Sequence, residues 1–588
     1  MSQKQRLELT WIGKDARPKL EPRVLLEDPT KSHHAKQRVT DHDIFDNRLI
    51  FGDNLLALKA LEQEFTGQIK CIYIDPPFNT GAAFEHYDDS LEHSVWLGLM
   101  RDRLHLIRKL LRPDGFLCCH IDDSEGHYLK VLLDEVFERS NYLATLYVQV
   151  RYADKTLKQD MDFHKQVEQI HVYRRAFGAK PFLEKKEGGF DKFRFGIKEL
   201  ASGRATTLGG KAVTIFAKGT WSVAEGDGHI DGLKEIWATG TILDGNSSGR
   251  FFRDYLTGRV SEDGLGALYK VEGIGDDGIG HRYFTGPARA TATKGKYYQG
   301  VPVAQRQDDA EASTIPIENF YDLAGSFGNC RSEGGVDFRG GKKPEALLRL
   351  LLEKFSQPGD IVLDSFAGSG TTGAVAHKMG RRWIMVELGE HCHTHVIPRL
   401  TKVVDGEDAT GATVAAGWSG GGGFRYYRLA PSLLQQDRFG QWVINREYNA
   451  EMLAAAVAKL EGFTFAPSPD AYWQHGYSTE TDFIYVTTQT LNAETLQALS
   501  DEVGAKRTLL VCCSAFRLSA EAIANRFPNL TVKKIPKMVL QKCEWGHDDY
   551  SLNVENLPQA RKEAAAAAKA GTTKVNTSQS GLFDEADA

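Results

Sequence analysis

Cysteine is scarce in this chain: there are 8 among 588 residues, and no two form a Cys-x-x-Cys pair. That excludes a disulfide scaffold and a zinc ribbon and fits a reducing cytoplasm, which is the expected location. Long hydrophobic runs are also missing. No stretch approaches the roughly 18 apolar residues that a membrane-spanning helix needs. The opening segment, MSQKQRLELTWIGK, lacks the apolar core of a secretion signal, so no membrane association is expected. Charge of one sign is not in excess either. The 72 Lys and Arg face 78 Asp and Glu for a net charge of −6, which leans against a nucleic-acid partner. It leans only weakly, because a sum says nothing about where the charges lie. What is present is ordinary: 41% hydrophobic and 26% charged residues, a globular composition. The length calls for three to four compact units.

Residues 1–45 are polar, with Pro18 and Pro22, and read as an irregular lead-in. A short strand, Leu49–Phe51, then ends in Gly52-Asp53-Asn54, and Leu55, Leu58 and Leu61 follow at helical spacing. Ile69–Ile74 reads as a buried strand, stopped by Asp75-Pro76-Pro77. From Ser94 a helix carries Trp96, Met100, Leu104 and Ile107 on one face, closed by Pro113 and Gly115 before a strand at Phe116–Ile121. Strands alternating with helices imply βαβ units and a mostly parallel sheet.

The rhythm is lost from about 150 to 335, where basic-aromatic clusters recur at Lys192–Phe195, Phe251–Arg253, His281–Phe284 and Lys296–Tyr298. It resumes with a helix after Pro344, a strand at Ile361–Leu363, a glycine loop, another helix, and a strand at Trp383–Val386. Gly420–Gly423 suggests a hinge or a tight backbone passage. A second α/β pattern occupies 431–560, and 561–588, with its alanine run, reads as a tail.

The glycine loop runs Asp364-Ser365-Phe366-Ala367-Gly368-Ser369-Gly370-Thr371-Thr372-Gly373. It satisfies G-x-G-x-x-G, with Glu387 nineteen residues after Gly368. That is the pattern of a dinucleotide site. A phosphate-binding P-loop fails, because Ala374 and Val375 stand where Lys and Ser or Thr are required. S-adenosylmethionine is the third reading, and the sign of charge favours it. Asp364 suits a sulfonium and an amino group but would repel a pyrophosphate.

Asp75-Pro76-Pro77-Phe78 narrows the choice. Two prolines fix the backbone and remove two N–H donors, leaving carbonyl acceptors, a carboxylate and an aromatic face at a strand end. Such a group suits an exocyclic amine on a planar ring. Asp75 and the Pro76 carbonyl would accept its two N–H bonds while Phe78 stacks on the ring. Taken alone, Asp-Pro-Pro is more often a strand-ending turn; the glycine loop is what lifts it.

The two motifs in this order resemble the amino-group DNA methyltransferases of the permuted β arrangement, and more closely the Mod subunits of type III restriction–modification systems. The resemblance spans about 45–430. It also rests on Arg101–Leu104, Pro113-Asp114-Gly115, His120–Asp123, Gly341–Pro344 and Gly422–Tyr427. It implies an α/β fold: a Rossmann-like S-adenosylmethionine-dependent methyltransferase core of circularly permuted β order, with an inserted target-recognition domain and a C-terminal α/β domain. The expected division is a lead-in at 1–45, a catalytic half at 46–150, target recognition at 151–335, a cofactor half at 336–430, the α/β domain at 431–560 and the tail at 561–588.

The resemblance further implies that Phe366, Ala367, Gly368, Ser369, Gly370 and Thr371 wrap the methyl donor. Asp364 would lie near its methionine portion, Lys343-Pro344 by the methionine carboxylate, Glu387 on the ribose and Asp53 towards the adenine. On spacing alone Asp53 is a turn residue. Asp75, Pro76, Pro77 and Phe78 would hold a base flipped out of double-stranded DNA, with no metal and no dedicated general base. An acid in the first motif position favours adenine N6 over cytosine N4. A non-catalytic recognition subunit is the alternative of a different class. The resemblance allows a homodimer, and docking of a helicase–nuclease (Res-like) subunit or another defence-system subunit. A basic cleft beside Asp75 would reconcile DNA binding with the net charge.

His391, Cys392, His393 and His395 invite a metal reading, but no second ligand pair accompanies them, and structural histidines are expected. In the tail, Gln579-Ser580-Gly581-Leu582-Phe583 resembles the Q-x-x-L-F peptides that dock on the bacterial sliding clamp.

Overall fold

A computed structural model of the chain describes residues 8–78, 93–154, 163–185, 190–238, 247–303, 314–338, 340–535 and 537–550. The clamp-like peptide Gln579–Phe583, the tail 561–588 and the residues after Phe78 lie outside them. Two compact units emerge: residues 183–317, and the remainder of the chain on either side.

The larger unit is built on one sheet whose strands, in chain order, are β1 (Leu25–Glu27), β2 (His33–His34), β3 (Asn47–Phe51), β4 (Ile69–Ile74), β5 (Leu111–Ile121), β6 (Tyr142–Gln149), β7 (Val167–Arg174), β8 (Phe320–Asp322), β9 (Ile361–Asp364), β10 (Arg382–Glu387) and β11 (Gly423–Leu429). Their spatial order is β1-β11-β3-β10-β9-β4-β5-β7-β6-β8, and β2 also pairs with β11. From β11 to β5 neighbouring strands run parallel. β7 then pairs antiparallel with both β5 and β6.

Every residue of β4 is buried. Its side chains alternate between two cores, Ile72 and Ile74 entering one and Cys71 and Tyr73 the other. Burial on both faces is what a central parallel strand requires. Helices α1 (Asn54–Phe65), α2 (His93–Leu110) and α3 (Gly126–Phe137) cover the first face; α4 (Glu345–Phe355), α5 (Thr371–Lys378) and α6 (Ile397–Val404) cover the second.

β9 and β4 are neighbours although they are far apart in sequence, pairing Val362 with Cys71 and Leu363 with Ile72. From β4 the chain crosses by α2 to β5 on one side; from β9 it crosses by α5 to β10 on the other. The strand order therefore reverses between these two parallel strands, and the carboxyl ends at such a switch point are where ligands of doubly wound sheets bind. The methyltransferase-like fold expected from the permuted motif order is therefore the fold present.

Three expectations change in detail. Pro113 and Gly115 fall within β5 rather than before it. The register of β4 and β5 shifts between Ile69 and Cys71, and this irregularity accommodates the missing N–H of Pro113. Gly115 sits where a Cβ would lie 2.9 Å from the Ile69 carbonyl oxygen. The inserted unit is narrower than 151–335: β7 and β8 belong to the main sheet, and the insertion begins and ends where Glu184–Lys185 pairs with Thr314–Ile315. Gly420–Gly423 is a tight passage, since a Cβ on Gly422 would meet the Ile44 carbonyl oxygen at 2.5 Å.

The insertion forms an eight-stranded antiparallel sheet. Its core takes in Phe251, Phe252, Phe284 and Tyr297, and Arg282 is buried against Asp277 at 2.8 Å. These residues of the basic-aromatic clusters thus hold the sheet together and are not available for base stacking. Beyond β11, a five-stranded sheet with strands at Asp482–Val486 and Thr508–Cys513 forms the C-terminal α/β part.

His171 on β7 makes the fold sensitive to acid. Its Nε2 lies 2.9 Å from the Gly126 carbonyl oxygen and its Nδ1 3.0 Å from Thr145 Oγ1. Burial pushes its pKa down to about 4, against the pull of the Gly126 hydrogen bond. The unfolded chain binds this proton first, so stability falls as the pH drops from about 6.5 towards 4. Melting temperature measured across that interval is expected to decline less steeply in His171→Gln than in the parent.

Candidate active site

The crevice is assembled from the carboxyl ends of β3, β4, β9 and β10. Asp75–Phe78 extend from β4. Trp96 of α2, fully buried, donates from Nε1 to the Pro77 carbonyl oxygen at 2.8 Å, fixing the di-proline segment from behind. Asp75 is buried against the amine of Lys343, with Oδ2 3.0 Å from Nζ. Its other oxygen, Oδ1, is buried with no hydrogen-bond partner. Burial raises the pKa of Asp75, opposed by Lys343 and His120.

Behind this pair stands a buried polar chain that the motifs did not announce. Lys343 Nζ lies 3.6 Å from Glu168 Oε2. That oxygen is 2.8 Å from His120 Nε2, and His120 Nδ1 is 2.8 Å from the Tyr73 hydroxyl. Burial alone would raise the pKa of Glu168, but Lys343 and His120 outweigh it and hold the carboxyl down at about 2. Lys343 Nζ also sits 4.7 Å from the centre of the Phe78 ring. Lys343, expected beside a methionine carboxylate, is thus placed between the two catalytic-motif side chains. Its neighbour Pro344 caps α4.

The glycine loop turns from β9 into α5. Asp364 is buried, and both its oxygens are used within the loop: Oδ1 accepts from the Phe366 N–H at 2.9 Å and Oδ2 from the Thr372 hydroxyl at 2.5 Å. Burial lifts its pKa to about 7 despite these bonds. Glu387, at the end of β10, accepts the Gly368 N–H at 2.7 Å and the Gly389 N–H at 2.8 Å. Gly368 and Gly370 take φ of +52° and +76°, values that favour glycine. A Cβ on Gly370 would come 2.9 Å from Val396, whereas one on Gly368 would meet nothing closer than 4.0 Å. Gly368 therefore leaves a cradle on its open side. The Ser365 hydroxyl, earlier in the loop, is buried without a hydrogen-bond partner. Ala367 donates to the Val386 carbonyl at 3.1 Å, and Thr371 donates to the Lys343 carbonyl at 3.1 Å, tying the loop to the segment before α4.

Beneath the loop lies a closed charge cluster. Arg399 donates to the Ser369 carbonyl oxygen at 3.2 Å and to Thr371 Oγ1 at 2.7 Å. Its other nitrogen contacts Glu345 at 2.7 Å. Lys378 bridges Glu345 at 2.7 Å and Asp408 at 2.6 Å, and all four charged side chains are essentially inaccessible.

Asp53 is also buried, but as the N-cap of α1: Oδ1 accepts from Leu55 and Leu56 at 2.9 and 3.0 Å. Its Oδ2 accepts from the Tyr550 N–H at 3.0 Å and pairs with Arg103 at 3.3 Å. Both oxygens of the carboxylate are thus hydrogen-bonded within the protein. Asn54 carries the link to the loop, donating to the Ser365 carbonyl oxygen at 2.7 Å.

The histidine group lies around a π-helical turn at Cys392–Val396. His391 Nε2 is 3.1 Å from Glu387, and the rings of His391 and His395 meet Phe338 edge-on. Among the described residues no cluster of three or more His, Cys, Asp or Glu side chains could hold a metal ion. No helix among them is long and apolar enough to cross a membrane.

The glycine loop and the Asp-Pro-Pro segment thus follow two adjacent parallel strands, in inverted chain order. Residues 69–222 and 281–397 match the DNA methylase family N6_N4_Mtase. Among curated relatives it is similar to a probable type III restriction–modification enzyme HindVI Mod subunit of Haemophilus influenzae, with 31% identity over 67% of this chain and 55% of that one. It is also similar to the type III EcoPI Mod subunit of Escherichia phage P1, with 27% identity over 64% of this chain and 61% of the relative. The chain thus spans little more than half the length of these relatives. A solved PvuII DNA methyltransferase (cytosine-N4-specific) aligns over 65% of this chain and 94% of its own, at 13% identity and a TM-score of 0.31.

Proposed function

We propose that the protein is a site-specific DNA adenine N6-methyltransferase that uses S-adenosylmethionine and acts as a Mod-like subunit of a type III restriction–modification or phage-defence system. The observation that carries this reading is the pairing of β4 with β9, which sets the amine-binding Asp75–Phe78 segment beside the Gly368–Gly370 loop. The residues fit the donor. Gly368 offers a cradle that a Cβ would fill, the Ser365 hydroxyl is an orphaned buried polar atom, and Glu387 supplies an acidic group beside the loop. Such a group suits a sulfonium and an amino group and disfavours a pyrophosphate.

When bound, S-adenosylmethionine supplies an electrophilic methyl group. The chain's part is to hold the nucleophile. Asp75 and the Pro76 carbonyl draw on the two N–H bonds of the amine, which frees its lone pair from conjugation, and Phe78 stacks on the ring. The base must leave the duplex to reach this crevice. The buried polar groups exclude water once the base is seated. The inserted unit 183–317 is the segment for target recognition. There Trp237 is exposed with Lys296 Nζ 4.9 Å over its ring, a pair suited to stacking and phosphate contact. A Res-like helicase–nuclease is the partner that the similarity to Mod subunits suggests.

Two measurements test this reading. Saturating S-adenosylhomocysteine is expected to raise the melting temperature, by linkage, while NADH leaves it unchanged; the reverse would replace the donor. Digestion of DNA methylated by the protein should yield N6-methyladenine, and N4-methylcytosine would overturn the choice of base.

A further inference from the structure

We propose that Lys343 is a resident stand-in for the target amine, and that Glu168 takes over its ammonium when the base enters. This rests on the reading of the site as a DNA amino-methyltransferase. Lys343 Nζ already makes the two contacts that reading assigns to the base: it lies 3.0 Å from Asp75 Oδ2 and 4.7 Å over the Phe78 ring. A cation on the face of an aromatic ring and a base stacked on that same face exclude each other. The ammonium must therefore leave before Phe78 and Asp75 can receive an adenine.

Glu168 is where it goes. Its carboxylate stands 3.6 Å from Nζ and is oriented by His120, which is itself fixed by the Tyr73 hydroxyl. A short rotation of the flexible lysine stem would exchange one carboxylate for the other. The charge then stays paired throughout, which matters because an unpaired buried ammonium is strongly unfavourable. Asp75 Oδ1, buried without a partner, remains open to an N–H of the incoming amine. Once relieved of Lys343, Asp75 has its full acceptor strength for that amine. Glu168 is a positioning residue in this account: it acts on the base only through Lys343.

The test uses the full chain and a duplex carrying its methylation site, with 2-aminopurine placed beside the target adenine so that fluorescence rises when the adenine unstacks. No methyl donor is present. Removing the stand-in with Lys343→Met is expected to increase extrusion. Removing the receiving charge with Glu168→Gln leaves the ammonium on Asp75 and is expected to lower extrusion about tenfold, a coupling usual for residues in direct contact. In the double variant extrusion should return to the Lys343→Met level, because no cation remains to be moved. Glu168→Gln matching the parent, or a double variant as impaired as Glu168→Gln, overturns the proposal. If Glu168→Gln does not fold, the Lys343→Met arm decides alone, and no gain in extrusion there rejects the stand-in. A parent protein that neither extrudes the base nor methylates the duplex counts instead against the methyltransferase reading itself.

Discussion

Asp75→Ala is expected to lower the rate of methyl transfer at least about 10²-fold, the scale on which preorganised electrostatic groups act at a reacting centre. Binding of S-adenosylhomocysteine should change little, because the cradle proposed for the donor is made by the loop after β9 and by Glu387, not by Asp75. A loss in turnover with donor affinity retained means that the missing interaction belongs to the transition state. Asp75→Asn sharpens the point: it keeps an acceptor oxygen and the size of the side chain but gives up the charge. It also releases Lys343 from its 3.0 Å ion pair, so extrusion of the base should improve even as transfer fails. Methylation kinetics with labelled donor, run beside calorimetric binding, separate the two effects. If both variants transfer methyl groups at the parental rate, the amine is held elsewhere.

The largest effect on stability is expected from Glu345→Ala. Glu345 holds Lys378 through one oxygen and Arg399 through the other, and the three side chains are wholly buried. Removing the shared carboxylate strands Arg399 without a counter-ion and leaves Lys378 only Asp408. Breaking a buried pair in this way costs about 3–5 kcal/mol. The consequence reaches the crevice, since Arg399 also carries the Ser369 carbonyl and the Thr371 hydroxyl of the glycine loop. Denaturant unfolding should show the destabilisation, and donor binding should weaken along with it. A variant as stable as the parent would show that the cluster is not under the strain of a missing partner.

The motif residues were legible because their chemistry is local. Asp75-Pro76-Pro77-Phe78 and the 364–373 loop are each contiguous, and each sits where a buried apolar strand stops. Their order along the chain then implied the adjacency of β4 and β9. The contact of His120 with Glu168 was not legible, because it depends on the antiparallel β5–β7 pairing, which no local pattern specifies. A signal was present nonetheless: His120 interrupts the apolar run Phe116–Ile121, and Glu168 opens a strand that is buried further on. A polar group inside a buried strand must find a partner, and here the partners are each other and Lys343. The insertion's outer limits were misread for the same reason. Gly- and Thr-rich composition follows the loss of helix, whereas membership in the main sheet depends on the register of β7 with β5. Of the aromatic clusters, His281–Phe284 alternates along a strand with Arg282 and Phe284 buried, whereas Phe251 and Phe252 reach the core from a helical turn. Asp53 is the N-cap of α1, and its remaining partners, Tyr550 and Arg103, are distant in sequence and could not be read locally.

Single-molecule sequencing of DNA from cells expressing either the parent chain or Asp75→Ala reads the methylated base, its sequence motif and its dependence on Asp75 together. N6-methyladenine is expected at a defined sequence motif with the parent and is expected to be absent with the variant. Unmodified DNA with the parent, or the same methylated motif with Asp75→Ala, would contradict the proposed function.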